Sequence, residues 1–212
     1  GFGQKTYLDL YGEKTGLVPD RKWKIKMKQE PWYPGETLNV GIGQGYFLAT
    51  PMQLTLATST LSTDGNTFTP HLLLSYKDNK SNELTMYKSN NNKFYTQMKN
   101  QDYLNIVKDA MWRVVNEKRV GTASHMKKVG NIEFAGKTGT AQVYNLDKGK
   151  TGTKNLQDHA LFISYAPFEK PEIVVTVIVE HGGGGSTTAA PIARDIIEYY
   201  MNNKKQKVAV NE

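Results

Sequence analysis

Cysteine is absent from these 212 residues, so neither a disulfide nor a thiolate metal site can be built from them, and the redox compartment stays open. Long apolar runs are absent too: no stretch approaches the roughly 20 residues that cross a bilayer as a helix. No signal peptide is legible, and the first residues are Gly1-Phe2-Gly3, without an initiator methionine. A piece of a longer protein is therefore expected, with any membrane anchor left behind. Also lacking is a basic stripe interleaved with aromatics of the kind that stacks bases. That argues against nucleic acid as a partner despite a net charge of +7 and a pI near 9.3. Much of the charge is local, in residues 22–28 and 204–207, and reads as a solvated lysine-rich surface. Internal repeats are missing, and so is any linker that would divide two domains.

What is present reads as helices, then strands, then a helix. Residues 1–45 are rich in glycine, proline and aromatics, with a short basic helix over 20–28. Pro31-Trp32-Tyr33-Pro34-Gly35 is turn chemistry carrying two large aromatics, expected to pack in a core rather than to serve as a sugar-stacking platform. Gly41-Ile42-Gly43-Gln44-Gly45 is a loop whose glycines permit positive φ. Thr50 as N-cap, Pro51 at the first helical position and Gln53 completing a capping box predict a helix with Leu54, Ala57, Thr58 and Leu61 on one face, ended at Asp64-Gly65-Asn66. Residues 69–74 look extended, and 76–100 form a polar surface excursion. Apolar spacing predicts a second helix over 101–116, where Leu104, Val107, Ala110-Met111 and Val114 recur every three or four residues. Residues 145–157 read as an exposed loop. Strands follow over 160–165 and 173–180, close enough for an antiparallel hairpin. His181-Gly182-Gly183-Gly184-Gly185 reads as a hinge into a last helix buried through Ile192, Ile196, Ile197 and Tyr200, and residues 204–212 as a frayed polar tail. The fold class is α+β, an antiparallel sheet flanked by helices, with residues 1–203 as one domain portion.

The tract Phe134-Ala135-Gly136-Lys137-Thr138-Gly139-Thr140-Ala141-Gln142 sets a cation, hydroxyls and a residue without a side chain in succession on a predicted strand. Lys137 and Gly139 share one face and Thr138 takes the other. A twist or bulge at Gly139 would bring the threonine hydroxyl back toward the lysine. Such an edge offers an anionic ligand a charge, a hydroxyl and backbone donors. An activated nucleophile is not among its residues. Read alone, the tract would be an edge strand with a protective lysine.

This Lys-Thr-Gly-Thr strand, the two strands after it and the closing helix resemble the penicillin-binding transpeptidases and serine β-lactamases, whose tracts are S-x-x-K, S-x-N and K-T-G. Pro31 to Thr37, Gly41 to Tyr46, Ala49-Thr50-Pro51-Met52-Gln53 and Asp64-Gly65 narrow the resemblance to the class B penicillin-binding protein 2 family, the elongation-type peptidoglycan D,D-transpeptidases. The match runs from Gly1 to about Met201. In that family the first two tracts lie N-terminal to everything here, so the fold is expected to be incomplete in this chain. Ser124-His125-Met126-Lys127 fits S-x-x-K and Ser89-Asn90-Asn91 fits S-x-N, but in reversed order and without a buried helix, and both are read as coincidental.

The resemblance implies acyl transfer through a serine ester between peptidoglycan stem peptides, with β-lactams as inhibitors. Lys137 and Thr138 would anchor the substrate carboxylate, Thr140 would add a hydroxyl and an oxyanion-hole N–H, and Gly139 would keep the strand clear for the substrate. Implied partners are the N-terminal part of the same chain, an MreC-type scaffold and a membrane glycosyltransferase, at the periplasmic face of the inner membrane. No cofactor or metal is implied. His159 and His181 bracket the hairpin strands, and with no third ligand beside them they read as a strand-start hydrogen bonder and a loop residue. One competing reading is a non-catalytic wall- or scaffold-binding domain of the same fold. Another is a P-loop nucleotide site at Gly136-Lys137-Thr138, whose required earlier glycine is Asn131.

Overall fold

Residues 1–87, 94–96, 100–142 and 157–209 are described by a computed structural model. In chain order they form α1 (Arg21–Lys28), α2 (Pro34–Gly41), α3 (Pro51–Ser62), β1 (Asn66–Thr67), β2 (Ser75–Lys77), β3 (Leu84–Met86), β4 (Phe94–Tyr95), α4 (Gln101–Asn116), β5 (Ala135–Ala141), β6 (His159–Ala166), β7 (Ile173–Val179), a π-helical segment (Gly185–Ala189) and α5 (Ala190–Ala209). The chain divides into two compact units, Gly1–Ala57 with Thr67–Phe94, and Thr58–Asn66 with Tyr95–Glu212, and the division falls inside α3. The sequence, which shows no dividing linker, does not announce it.

In the first unit, Asp20 caps α1 by accepting from the Trp23 N–H at 2.6 Å, and Gln29 ends the helix in a left-handed conformation. Lys24 is almost wholly buried, and its ammonium pairs with Glu36 of α2 and lies 4.4 Å from the centre of the Tyr33 ring. Of the stretch read as a turn, residues 31–35, Pro34 and Gly35 instead open α2, with Tyr33 as its N-cap. Pro34 sits in the first turn, and Glu36 Oε2 accepts from the Tyr33 N–H at 2.8 Å. Tyr33 is 52 % exposed and Trp32 only half-buried, so the expected core packing of this pair does not occur; Tyr33 covers an ammonium and Trp32 Nε1 donates to Thr37 Oγ1 instead.

The capping box of α3 forms as expected: Thr50 N–H donates to Gln53 Oε1 at 2.9 Å, and Gln53 N–H to Thr50 Oγ1 at 3.1 Å. Gln53 does more than close that box. Its Nε2 donates to the Gln4 and Thr15 carbonyls, both at 2.7 Å, so one buried amide gathers three segments. Residues 69–74 carry no strand; the extended pairing falls later, where β2 and β3 make an antiparallel hairpin with Ser75 opposite Met86.

The second unit holds the main sheet, antiparallel in the order β5-β6-β7. Register runs Lys137↔Ile163, Thr138↔Phe162, Gly139↔Leu161 and Thr140↔Ala160, then Phe162↔Val177 on the far side of β6. One core joins Ala160, Phe162, Val175 and Val177 to Ala189, Ala190, Ala193, Ile197 and Met201 of the C-terminal helices. A second joins Ala135 and Tyr165 to Met111 of α4. The Tyr165 hydroxyl has no hydrogen-bond partner among the described residues, and burial first, then the Asp64 and Glu169 charges, push its pKa up, which keeps the phenol neutral.

The buried face of α5 differs from the expected one. Ile197 is fully buried as expected, but Ile192 and Ile196 are each 43 % exposed and Tyr200 is exposed too; small alanines, which let helix and sheet approach closely, complete the buried face. The helix also continues to Ala209, through residues read as a frayed tail. Residues 210–212, most of the 145–157 loop and the Ser89-Asn90-Asn91 match lie outside the described residues. Among the described residues no helix is long and apolar enough to cross a membrane.

Candidate active site

β5 carries Lys137, Thr138, Gly139 and Thr140 along one edge of the sheet, and among the described residues its outer edge is unpaired. Its position is set from the α4 side. Asn116, the last residue of α4, donates from Nδ2 to the Phe134 carbonyl at 2.9 Å and to the Trp112 carbonyl at 2.8 Å. Trp112 Nε1 donates to Glu133 Oε2 at 2.9 Å. Thus the two residues before the strand are both tied to one helix.

Within β5 the pairing with β6 is regular from Ala135 to Ala141, so Gly139 carries no bulge. Lys137 and Gly139 share one face and Thr138 and Thr140 the other, as strand alternation requires. The Lys137 ammonium bends round the exposed edge and donates to the Thr138 carbonyl at 2.7 Å. Amide and carbonyl groups two residues apart face the same edge of a strand, so the Thr140 N–H shares the edge of the Thr138 carbonyl. A cation, hydroxyls and backbone donors are therefore brought to one rim without a bulge. Gly136-Lys137-Thr138 lies within β5, and the strand runs on to Ala141 where a helix would have to open, which removes the P-loop reading.

The glycine tract is not a free hinge. Gly185 is buried, and a methyl group placed on it would lie 2.4 Å from the Leu161 carbonyl oxygen and 2.5 Å from that of Gly139. Gly183 N–H donates to the Asp158 carbonyl at 2.9 Å, and Gly182 N–H to that of Val179 at 3.1 Å. At Gly185 backbone packs on backbone, and Gly183 takes a left-handed conformation that favours glycine. His159 Nδ1 accepts from the His181 N–H at 2.9 Å, a hydrogen bond that ties the β6 start to the end of the hairpin.

Ser124 sits in a turn, where its hydroxyl donates to the Gly121 carbonyl at 2.8 Å. It starts no helix. The same turn, Gly121-Thr122-Ala123, carries a residue that no motif in the sequence singles out. The Thr122 hydroxyl lies 3.1 Å from that of Thr138. The turn signal was visible; the partner 16 residues away was not.

An antiparallel sheet with Lys-Thr-Gly-Thr on its open edge and a C-terminal helix packed behind it is the architecture of the penicillin-recognising serine acyltransferases. The family model for the penicillin binding protein transpeptidase domain matches residues 1–198, and the chain belongs to that family. It is 38 % identical over 227 aligned residues to the peptidoglycan D,D-transpeptidase MrdA of Haemophilus influenzae, covering 98 % of this chain and 32 % of that protein. Among solved structures it resembles PBP2 of Pseudomonas aeruginosa, with TM-score 0.76, 36 % identity and coverage of 94 % of this chain and 41 % of that one. It also resembles PBP2 of Helicobacter pylori, solved in complex with MreC, at TM-score 0.73, 35 % identity and coverage of 98 % and 34 %. The chain thus spans about a third of the length of the MrdA relative it matches.

Proposed function

We propose that this chain is the K-T-G wall of a peptidoglycan D,D-transpeptidase of the elongation type, the target of β-lactams. The observation that carries this is the open edge of β5, which sets Lys137, Thr138 and Thr140 on one rim in a chain of this family. The substrate is a stem peptide ending in a carboxylate. The Lys137 ammonium leaves the Thr138 carbonyl and pairs with that carboxylate, while the Thr138 hydroxyl donates to it. The peptide lies along β5 as an added strand, which Gly139 leaves room for. The Thr140 N–H donates to the oxyanion as the carbonyl between the two terminal residues becomes tetrahedral. Loss of the terminal D-alanine gives a serine ester, and an amine of a second stem resolves it.

The serine and its lysine stand outside these residues, in the S-x-x-K tract expected N-terminal to them. The same segment supplies the remaining strands beside β7. At the level of the whole protein the reading includes the periplasmic face of the inner membrane, an MreC-type scaffold, as in the complex with the Helicobacter relative, and a membrane glycosyltransferase. The test is turnover. A protein extended through S-x-x-K, given a pentapeptide stem and an amine acceptor, is expected to release D-alanine and form the cross-linked peptide. A folded extended protein that binds stems without releasing D-alanine would support the non-catalytic wall-binding alternative.

A further inference from the structure

The Thr122–Thr138 contact rests on a rigid base. Gly121 lies under the last carbonyls of α4, where an added methyl group would come 2.4 Å from the Arg113 oxygen, 2.6 Å from the Val114 oxygen and 2.8 Å from the Glu117 oxygen. Gly121 N–H donates to the Glu117 carbonyl at 2.8 Å, and Ala123 N–H to the Val114 carbonyl at 2.9 Å. These bonds satisfy carbonyls that the end of the helix would otherwise leave open. The Ala123 side chain is fully buried in the core with Val129, Phe134 and Ala189. Thr122 is therefore clamped on both sides, yet its own side chain is exposed. Threonine is stiff at χ1, so the backbone clamp also fixes where its hydroxyl stands.

That hydroxyl meets the Thr138 hydroxyl at 3.1 Å, and either oxygen can be the donor. The two arrangements differ for an anion. When Thr138 donates to Thr122, its single proton is used and it presents only lone pairs to a carboxylate. When Thr122 donates to Thr138, the Thr138 proton is free to point outward, and the chained hydrogen bond polarises it further.

We propose that Thr122 is a positioning residue for carboxylate recognition: it donates to Thr138 and so turns the Thr138 O–H toward the substrate's terminal carboxylate. The inference rests on the reading of Lys137 and Thr138 as the carboxylate anchor. It deepens that reading by making the 121–124 turn, braced on α4, part of the specificity for a C-terminal anion. Thr122 acts through Thr138 and forms no bond to the reacting carbonyl.

The test uses the protein extended through S-x-x-K, as wild type, Thr122→Val and Thr122→Ser. Second-order acylation rates are measured with a penicillin and with its methyl ester, in which the carboxylate is masked. Wild type is expected to prefer the free acid. Valine keeps the shape and removes the hydroxyl, and is expected to cut that preference about tenfold through loss of one hydrogen bond in the anchor. Serine is expected to restore it. An equal fall for acid and ester in Thr122→Val, leaving their ratio unchanged, would mean a packing role only and would overturn the inference. So would a serine variant that behaves like valine. A wild type that acylates without preferring the acid would instead overturn the carboxylate anchor itself, and a wild type that never acylates would overturn the proposed function; either takes the inference with it.

Discussion

Gly185 packs against Gly139 backbone to backbone, with no side chain between the start of the C-terminal helical segment and the strand that carries the Lys-Thr-Gly tract. Gly185 could not carry a side chain without moving main chain. Gly185→Ala places a methyl group 2.4 Å from one carbonyl oxygen and 2.5 Å from another, and neither is the flexible end of a side chain. Overpacking of this kind costs about 1–3 kcal/mol. The expected outcome is a lower melting temperature together with slower acylation by penicillin, because the displaced element is β5 itself. Thermal denaturation and labelling kinetics on the same variant check both.

Lys137→Ala separates anchoring from folding. The lysine is exposed, and its one described partner is the carbonyl of the next residue, so the melting temperature should hardly change. Acylation by penicillin should fall by about 10- to 100-fold, the range expected for loss of a hydrogen bond to a charged group. The remaining rate should also lose its dependence on salt.

Asn116 is the tether between α4 and the start of β5. Asn116→Ala leaves the buried Phe134 carbonyl without that donor and should cost about 1–3 kcal/mol. Denaturant unfolding measures it, and the slope should be unchanged because the exposed surface is the same.

The partly buried Lys24–Glu36 pair sets a pH signature. A hydrogen bond from Lys24, then one from the Tyr33 N–H, hold the Glu36 carboxyl below its ordinary value of 4.5. For Lys24, burial pulls the pKa down, but the hydrogen bond and charge of Glu36, with Glu30 behind it, outweigh burial and raise it above 10.5. The lowered Glu36 contributes stability at pH values above about 4.5 that is lost as pH falls through its folded value. The raised Lys24 contributes stability below about 10.5 that is lost as pH rises past its folded value. Glu36→Gln should therefore lower stability at neutral pH and flatten part of the acid decline. Asp9, Glu13 and Asp78, whose carboxyls are also held low by backbone or hydroxyl donors, contribute to the rest. Unfolding midpoints for wild type and variant across the acid range check this.

Local chemistry was legible where it is self-contained. The basic run over 20–28, the Thr50–Gln53 box before α3, the apolar spacing over 101–116 and the β-branched run of β7 all specify their elements within a few residues. The Lys-Thr-Gly-Thr strand and its two antiparallel neighbours were legible for the same reason. What the sequence hid depends on distant partners. Pro34 can open a helix as readily as a turn, and Glu36 decides between them by bonding back to Tyr33. Ile192 and Ile196 of α5 gave as strong a hydrophobic signal as Ile197, yet only Ile197 joins the alanines against the sheet. Gly182 to Gly185 read as slack, since composition cannot tell a flexible glycine from one pressed against another backbone. Thr122 carried no signal at all beyond its turn.

The most direct test is to treat the 212-residue chain and a chain extended N-terminally through S-x-x-K side by side with labelled penicillin, then map the label by mass spectrometry. The account predicts no covalent label on the 212-residue chain and a single acylated serine in the added segment of the longer one. Label on Ser124, or a longer chain that folds and stays unlabelled, would contradict it.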